Sequence, residues 1–328
     1  MALQLADIVD NLAQNYSPLF VQALTRDVFF YSRMVERGRV REGTPDLSWR
    51  VNYAGNSEVA AYDETDTDDG TTGKQQYKKA TLAYKSVRAR VGISGLTLAI
   101  SEQGGMLMNA LTDEVEKAIQ DLKVSINTQT LGDGTTFSGK AITGILAGIA
   151  DTGTYAGLDR GTYTWWKAYV LSNGGTPRNL TEALVADMVD TIKLRGADPS
   201  ALEIWCGPTQ WRNFGALYKG ERRQTPQRLS GGYLALDFEG TPVIQVPGYT
   251  TGRMDAVDTS KFDYQQLPVT SNSPLAKELR PIITAPGTPG FGILVMGNSG
   301  DALRMWIIHY AQLRVLNPYV MASLQDLA

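Results

Sequence analysis

The chain has 328 residues, a formal net charge of −3, 43% hydrophobic and 20% charged residues, which is ordinary for a folded protein and leaves room for about two domains of roughly 150 residues. That charge balance gives no long-range attraction to a polyanion, whose tight binding needs clustered Lys and Arg, so DNA is not the expected direct partner, and a single cysteine, Cys206, excludes an internal disulfide. A single histidine, His309, excludes a multi-histidine zinc site within one chain; no apolar run approaches the ~18 residues of a membrane span, and MALQLADIVD carries acids where a secretion signal carries bases.

Residues 3–36 read as helical. Leu5, Ile8, Val9 and Leu12 form one stripe, Phe20, Val21, Leu24, Val28 and Phe29 a second, and Ser17-Pro18 separates them. Such an arm has apolar faces and little core of its own, so it must pack on something else. In LSWRVNY, residues 47–53, Leu47, Trp49, Val51 and Tyr53 alternate with polar residues and predict a half-buried strand. A second alternation sets Val87, Ala89, Val91 and Ile93 against Ser86, Arg88, Arg90 and Gly92, and predicts the partner strand over 81–93. Between them lies EVAAYDETDTDDGTTGKQQYKK, acidic at its centre through Asp63, Glu64, Asp66, Asp68 and Asp69. The span 47–93 therefore reads as one long hairpin. A two-stranded ribbon is marginal alone in water, so it is expected to lean on a neighbouring molecule.

Residues 106–128 carry the clearest helical period, with Leu111, Val115, Ala118, Ile119, Leu122 and Ile126 on one face and Gly132 and Gly134 beyond its end. From 180 to 247 helix and strand alternate. Thr181 caps a helix closed by Gly196, LEIWC (202–206) is a short buried strand, Pro208 opens a helix with Trp211, Phe214 and Leu217 facing inward, and TPVIQV (241–246) is a further strand. The intervening YKGERRQTPQR, 218–228, holds Arg222 and Arg223 and is expected to be a basic, exposed loop. LRMWIIHYAQLRV, 303–315, is too long and two-sided for a surface strand and predicts a strand inside an extended sheet.

Few stretches suggest chemistry. GTTFSGKA, 134–141, approaches the phosphate-binding loop G-x-x-x-x-G-K, but Ala141 replaces the magnesium-ligating Ser or Thr and a helix precedes it where a strand should. DETDTDDG, 63–70, fails the EF-hand spacing: with Gly70 at position 6, threonines fall at positions 1 and 3 and Gln76 at 12. The acids are better placed to meet Lys or Arg on another subunit. His309 and Cys206 read as residues of the core. GTYAGLDRGTYTWW, 153–166, gathers Tyr155, Tyr163, Trp165 and Trp166 around Arg160. A sugar or base platform would pair such rings with a basic groove; only Arg160 and Lys167 are local, so packing is the better reading, with Trp165 and Trp166 as anchors and Arg160 tied to a carboxylate or carbonyl. No metal, cofactor or catalytic residue follows from the sequence.

The order of these elements, and the stretches LGDGTTFSGKAITGI, YAGLDRGTYTWW, GADPSALEIWCGPTQWRNF, FEGTPVIQVPG and LRVLNPYVMASL, resemble the major capsid proteins of tailed bacteriophages, whose fold also occurs in encapsulin shells. The resemblance implies an α+β chain with an N-terminal arm (1–44), an extended hairpin loop (45–93), a peripheral domain with a long spine helix (94–174), an α/β axial domain (175–260) and a return to the peripheral domain (261–328). It implies a structural protein, not an enzyme, that assembles into hexamers and pentamers of an icosahedral shell around phage DNA, in the virion after assembly in the host cytoplasm. Its partners would be further copies of itself, separate scaffolding and portal proteins and a decoration protein, with only weak contact to packaged DNA and no membrane. The inter-subunit contacts are then expected at Asp63, Glu64, Asp66, Asp68, Asp69, Arg88, Arg90, Arg222 and Arg223. The acidic loop tip gives no basis for a lysine crosslink. Two alternatives stand beside this: an encapsulin-type compartment, and a nucleotide-binding enzyme using 134–140.

Overall fold

A computed structural model describes residues 28–44, 46–59, 61, 63–65, 73–102, 110–217, 227–228, 234–267, 282–284, 291–299 and 301–328. In chain order, a short helix, Phe29–Glu36, leads into β1 (Val40–Glu42), β2 (Leu47–Ala54), β3 (Gln76–Leu82) and β4 (Lys85–Ser94). Helices Gly95–Glu102 and Ala110–Thr130 follow, then a short helix Ile145–Gly148, β5 (Thr154–Tyr155), β6 (Leu158–Asp159) and β7 (Tyr169–Leu171). Helix Glu182–Leu194, β8 (Leu202–Cys206) and helix Pro208–Leu217 precede β9 (Gln227–Arg228), β10 (Leu234–Phe238), β11 (Thr241–Gln245), β12 (Met254–Asp258) and β13 (Phe262–Gln266). The chain closes with β14 (Ile282–Thr284), β15 (Phe291–Ser299), β16 (Ala302–Val315) and β17 (Ala322–Leu324).

Among the described residues these strands form two large sheets. One runs β1-β13-β16-β15-β14, with β4 also on β16; the other runs β7-β17-β12-β8-β11-β10-β9. The 14-residue β16 organises the first, because its alternation serves two faces. Met305, Ile307, Ala311, Leu313 and Val315 enter a core with Leu122 and Ile126 of the long helix. The opposite face carries Arg304, Trp306, Ile308, Tyr310 and Arg314. His309 belongs to the core side: it is buried, its Nε2 lies 2.8 Å from the Tyr264 hydroxyl, and its ring stacks on Phe291 at 4.4 Å.

In the second sheet, β8 lies between β11, parallel to it, and β12, antiparallel. Leu202, Ile204 and Cys206 pack with Val185, Met188, Val189 and Ile192 of the helix capped by Thr181. Glu203 and Trp205 point the other way, to the arm. Phe29 and Phe30 meet the Trp205 ring edge-on at 5.3 and 6.1 Å, and Phe30 also meets Phe262 of the first sheet at 6.3 Å. Arg33 and Arg37 donate to the buried Glu203 carboxylate at 2.6 and 2.5 Å, and the Trp205 indole donates to it at 2.9 Å. The helix Phe29–Glu36 thus bridges both sheets.

Several sequence expectations are corrected. The partner of β2 is not 81–93 but β3, in register Leu47↔Leu82 to Ala54↔Gln76, while β4 pairs with β16 for ten residues. The chain leaves the ribbon at Ala83–Tyr84 because Val87, Val91 and Ile93 supply an inward face that the long helix and β16 bury, whereas β3 is largely polar. Leu217 is exposed although Phe214 on the same helix is fully buried; Trp211 is half-buried. The last two residues of the expected 218–228 loop form β9 against β10. The C-terminus also departs from a return to the first body: β17 pairs with β12 and β7 in the second sheet. The expected helices over residues 3–27 lie outside the described residues.

The fully buried Glu203 compensates the buried Arg33 guanidinium and the part-exposed Arg37 guanidinium. Removing one partner of a buried ion pair costs roughly 3–5 kcal/mol, so Glu203→Ala is expected to lower unfolding stability by about that amount in denaturant titration of dissociated subunits. A change below about 1 kcal/mol, the scale of an exposed pair, would contradict the bridging role of this contact.

Candidate assembly surfaces

The glycine–aromatic stretch 153–166 builds a node. Ala156 and Gly157 take positive φ (52° and 78°), the tight turn that joins β5 to β6. Arg160 then turns inward and is 2% exposed. Its guanidinium donates to the carbonyls of Ala147 (2.8 Å), Gly148 (2.7 Å) and Thr152 (3.0 Å), and its Nε reaches the Trp166 carbonyl at 3.4 Å. Its partners are therefore carbonyls. Burial pulls its pKa down from the ordinary value, and Tyr155 and Asp151 oppose that shift. Trp166 is fully buried and its indole donates to the Tyr155 carbonyl at 3.1 Å. The Tyr155 hydroxyl accepts from the backbone amide of Val315 at 2.8 Å, and burial pushes that phenol well up. One cluster thereby joins the short helix Ile145–Gly148, the β5–β6 turn and the end of β16.

The β2–β3 ribbon is fixed to this node along one face. Trp49 lies 6.4 Å from Trp166, donates its indole N–H to the Leu316 carbonyl at 3.1 Å and receives the Arg314 guanidinium over its ring at 5.6 Å. Tyr53 stacks on Trp165 at 5.0 Å and 11°, Tyr163 flanks Trp165 at 5.5 Å, and Lys78 sits over Tyr163 at 5.4 Å. The amide of Thr81 donates to the Ala156 carbonyl at 2.9 Å. The ribbon's alternation at 49, 51 and 53 was visible in sequence; that it meets the 163–166 rings was not, because roughly 110 residues separate them and no local pattern reports such a contact.

Beyond the node, burial falls away. Leu47 and Ala80 are buried, whereas Gly55–Ser57, Val59, Asp63–Thr65 and Lys74–Tyr77 are exposed. Tyr77 is covered only in part by Arg50, whose guanidinium lies 4.5 Å above its ring. Of the expected contact residues, Asp63 and Glu64 stand on this exposed run, and Arg88 and Arg90 on the outer face of β4. Asp66, Asp68, Asp69, Arg222 and Arg223 lie outside the described residues. The structure therefore does not bring these charges together within one described surface. The 134–140 stretch follows the helix Ala110–Thr130, and its single turn passes through left-handed backbone at Phe137 and Ser138 (φ 54° and 57°). A phosphate-binding loop needs a strand before it and a helix continuing from it; neither is present here.

Residues 4–278 match the SU10 major capsid protein family. The chain belongs to the SU10 major capsid protein family. It is a capsid shell protein, a structural component of a virion and not an enzyme. Solved structures agree in fold. A chain of the cyanophage A-1(L) capsid asymmetric unit is 15% identical with a TM-score of 0.77, covering 97% of this chain and 98% of that one. The capsid of a native GTA particle is 12% identical with a TM-score of 0.60 over 99% and 98%. The holo-SrpI encapsulin complex from Synechococcus elongatus PCC 7942 is 13% identical with a TM-score of 0.58 over 100% and 96%. Among curated proteins no sequence matches.

The node makes a testable demand. Arg160→Lys keeps the charge but loses the planar fork, leaving buried carbonyls of the Ala147–Thr152 stretch without donors. Each unmade buried hydrogen bond costs about 1–3 kcal/mol, so the variant is expected to lose roughly 2–4 kcal/mol of unfolding stability. An unchanged denaturation midpoint would show that Arg160 is not structural.

Proposed function

We propose that copies of this chain close into hexamers and pentamers and that these tile an icosahedral phage shell around DNA, assembled in the host cytoplasm. Ring closure needs heterologous contacts, in which one surface of a copy meets a different surface of the next. The observation that carries this reading is the β2–β3 ribbon. Its two strands pair only with each other among the described residues, its inner end is tied to the node, and most described residues of its outer half are exposed. A ribbon built this way gains stability by lying on something else. Many modest contacts per copy then act together, since each closed contact raises the effective concentration for the next. The segment 1–44 would act as the arm and the β2–β3 ribbon as the extended loop; the long helix and the first sheet, with β4 and β13–β16, would form the peripheral domain, and the second sheet, with β17, the axial domain. Separate scaffolding, portal and decoration proteins would complete the particle.

A second reading, a protein-filled compartment, is favoured by the fold likeness to the SrpI encapsulin. Cargo separates the two. Particles purified after nuclease treatment are expected to contain protected DNA when assembled in the presence of the packaging machinery; a protein cargo and no protected DNA would favour the compartment.

Deleting residues 60–73 should leave a subunit with unchanged far-ultraviolet circular dichroism apart from the loop and an unchanged unfolding midpoint, because the node lies at the other end of the ribbon. The same deletion is expected to abolish rings and shells in negative-stain images. A variant that unfolds outright, or one that assembles normally, would refute the ribbon's role.

A further inference from the structure

The turn Thr136–Gly139, between the long helix and the short helix Ile145–Gly148, serves neither the core nor the ribbon. Phe137, Ser138 and Gly139 take φ of 54°, 57° and 75° in succession. Left-handed backbone is costly for a residue with a β-carbon, and bulky residues adopt it rarely. The turn is nevertheless pinned on both sides. The Asp133 carboxylate accepts from the amide and the hydroxyl of Thr135 at 2.9 and 2.7 Å. The Lys85 ammonium donates to the Gly139 carbonyl at 2.8 Å, and the Ile142 amide donates to the Gln129 side-chain carbonyl at 3.1 Å. Residues 135–140 are all exposed, and Phe137 is 67% exposed. Strain held in place by its surroundings marks a position where the conformation itself is used. Here it presents an aromatic ring to the outside of its own fold.

A surface of matching chemistry lies beside the second sheet. The guanidinium carbon of Arg195 is 5.2 Å from the Tyr169 ring centre and 4.4 Å from that of Tyr319. The same group donates to the Tyr319 carbonyl at 3.2 Å, which fixes it against that ring. Next to it Leu194 is 89% exposed, and Tyr319 is 37% exposed. Single exposed apolar side chains are ordinary; here one adjoins two aromatic rings and a fixed guanidinium, the residue types that dominate the packed centre of protein interfaces. We propose that Phe137 of one copy docks on the Leu194–Arg195–Tyr319 surface of a second copy. This rests on the shell reading above and names a contact apart from the ribbon. An aromatic ring is attracted to rings and to a guanidinium. Each copy carries one knob and one such surface, so the match is equimolar and heterologous, as ring closure requires. Neither feature covers the other within one chain, since both are exposed. A turn already held in its docking conformation loses little freedom on binding, and that is the use of the strain.

Crosslinking beside the contact tests it. The native Cys206 is buried and its thiol is pushed up by burial, so it does not compete. A chain carrying both Ser138→Cys and Lys193→Cys keeps Phe137 and its proposed receiving surface intact. Assembled and treated with a short bismaleimide, it is expected to give a ladder of covalent oligomers on a denaturing gel, and each single variant is expected to give none. A second arm removes the ring. Phe137→Asn suits left-handed backbone, so it should leave the denaturation midpoint of dissociated subunits unchanged or higher. It should lower particle yield by about tenfold, as loss of one interface anchor does. Phe137→Lys and Leu194→Glu should each lower the yield in the same way, and the chain carrying both should recover it. Wild-type particles with no ladder from the cysteine pair, or a Phe137→Asn chain that assembles at wild-type yield, overturn the docking alone. A Phe137→Asn subunit with a clearly lower midpoint assigns the ring to its own fold and overturns it too. Ser138→Cys particles that link to a different protein overturn it in favour of that partner. A wild-type chain that forms no particles overturns the shell reading and this proposal with it.

Discussion

The ribbon can reach outward only because its inner end is held, and what holds it is a guanidinium with no carboxylate. Arg160 is satisfied by carbonyl dipoles from Ala147, Gly148, Thr152 and Trp166. Charge burial is costly, and here the cost is offset by several charge-assisted hydrogen bonds from one rigid fork. A planar group with donors on several edges can bind backbone from separate segments at once; an ammonium cannot impose that geometry. With the carbonyls fixed, Trp166 and Tyr155 are fixed, and they present the surface on which Trp49 packs. The Tyr53–Trp165 stack extends the same surface outward by two strand positions of the same parity.

A second constraint joins the two sheets. β8 serves one core with Leu202, Ile204 and Cys206 and the arm with Glu203 and Trp205. Five residues thus do two jobs because a strand alternates faces. The helix Phe29–Glu36 then spans from Trp205 to Phe262 and, through β1, pairs with β13. Among the described residues the consequence is a two-sheet body joined by one helix, with the β2–β3 ribbon fixed at its root.

Much of this was legible in sequence because it is periodic. The Ala110–Thr130 helix, β2, β8, β11 and β16 all follow from apolar spacing, and Thr181 and Gly196 mark their helix as capping chemistry requires. The failures have physical causes. β3, QYKKATL, buries only Ala80 fully and shows little alternation, so sequence alternation favours the more apolar β4 as the ribbon's partner. Pairing in a sheet is a tertiary choice that strand propensity does not reveal. Leu217 continues the helical stripe of Phe214 one turn past the point where described neighbours cover it. Glu203 meets arginines 170 and 166 residues away, and a lone charge in the apolar run LEIWC is its one local sign; Arg160's carbonyls lie within 13 residues of it, but no side-chain pattern reports a backbone acceptor. The order of motifs did indicate a capsid chain, because order over a whole chain constrains more than any motif within it.

Hydrogen–deuterium exchange of dissociated subunits and of assembled particles tests the account most directly. The two-part ribbon predicts that amides near Trp49, Val51 and Ala80 are protected in both states. Those at 55–59, 63–65 and 74–77 should exchange fast in the subunit and become protected in the particle. Equal exchange of the outer run in both states would contradict a ribbon that is rooted on its own chain and completed by its neighbour.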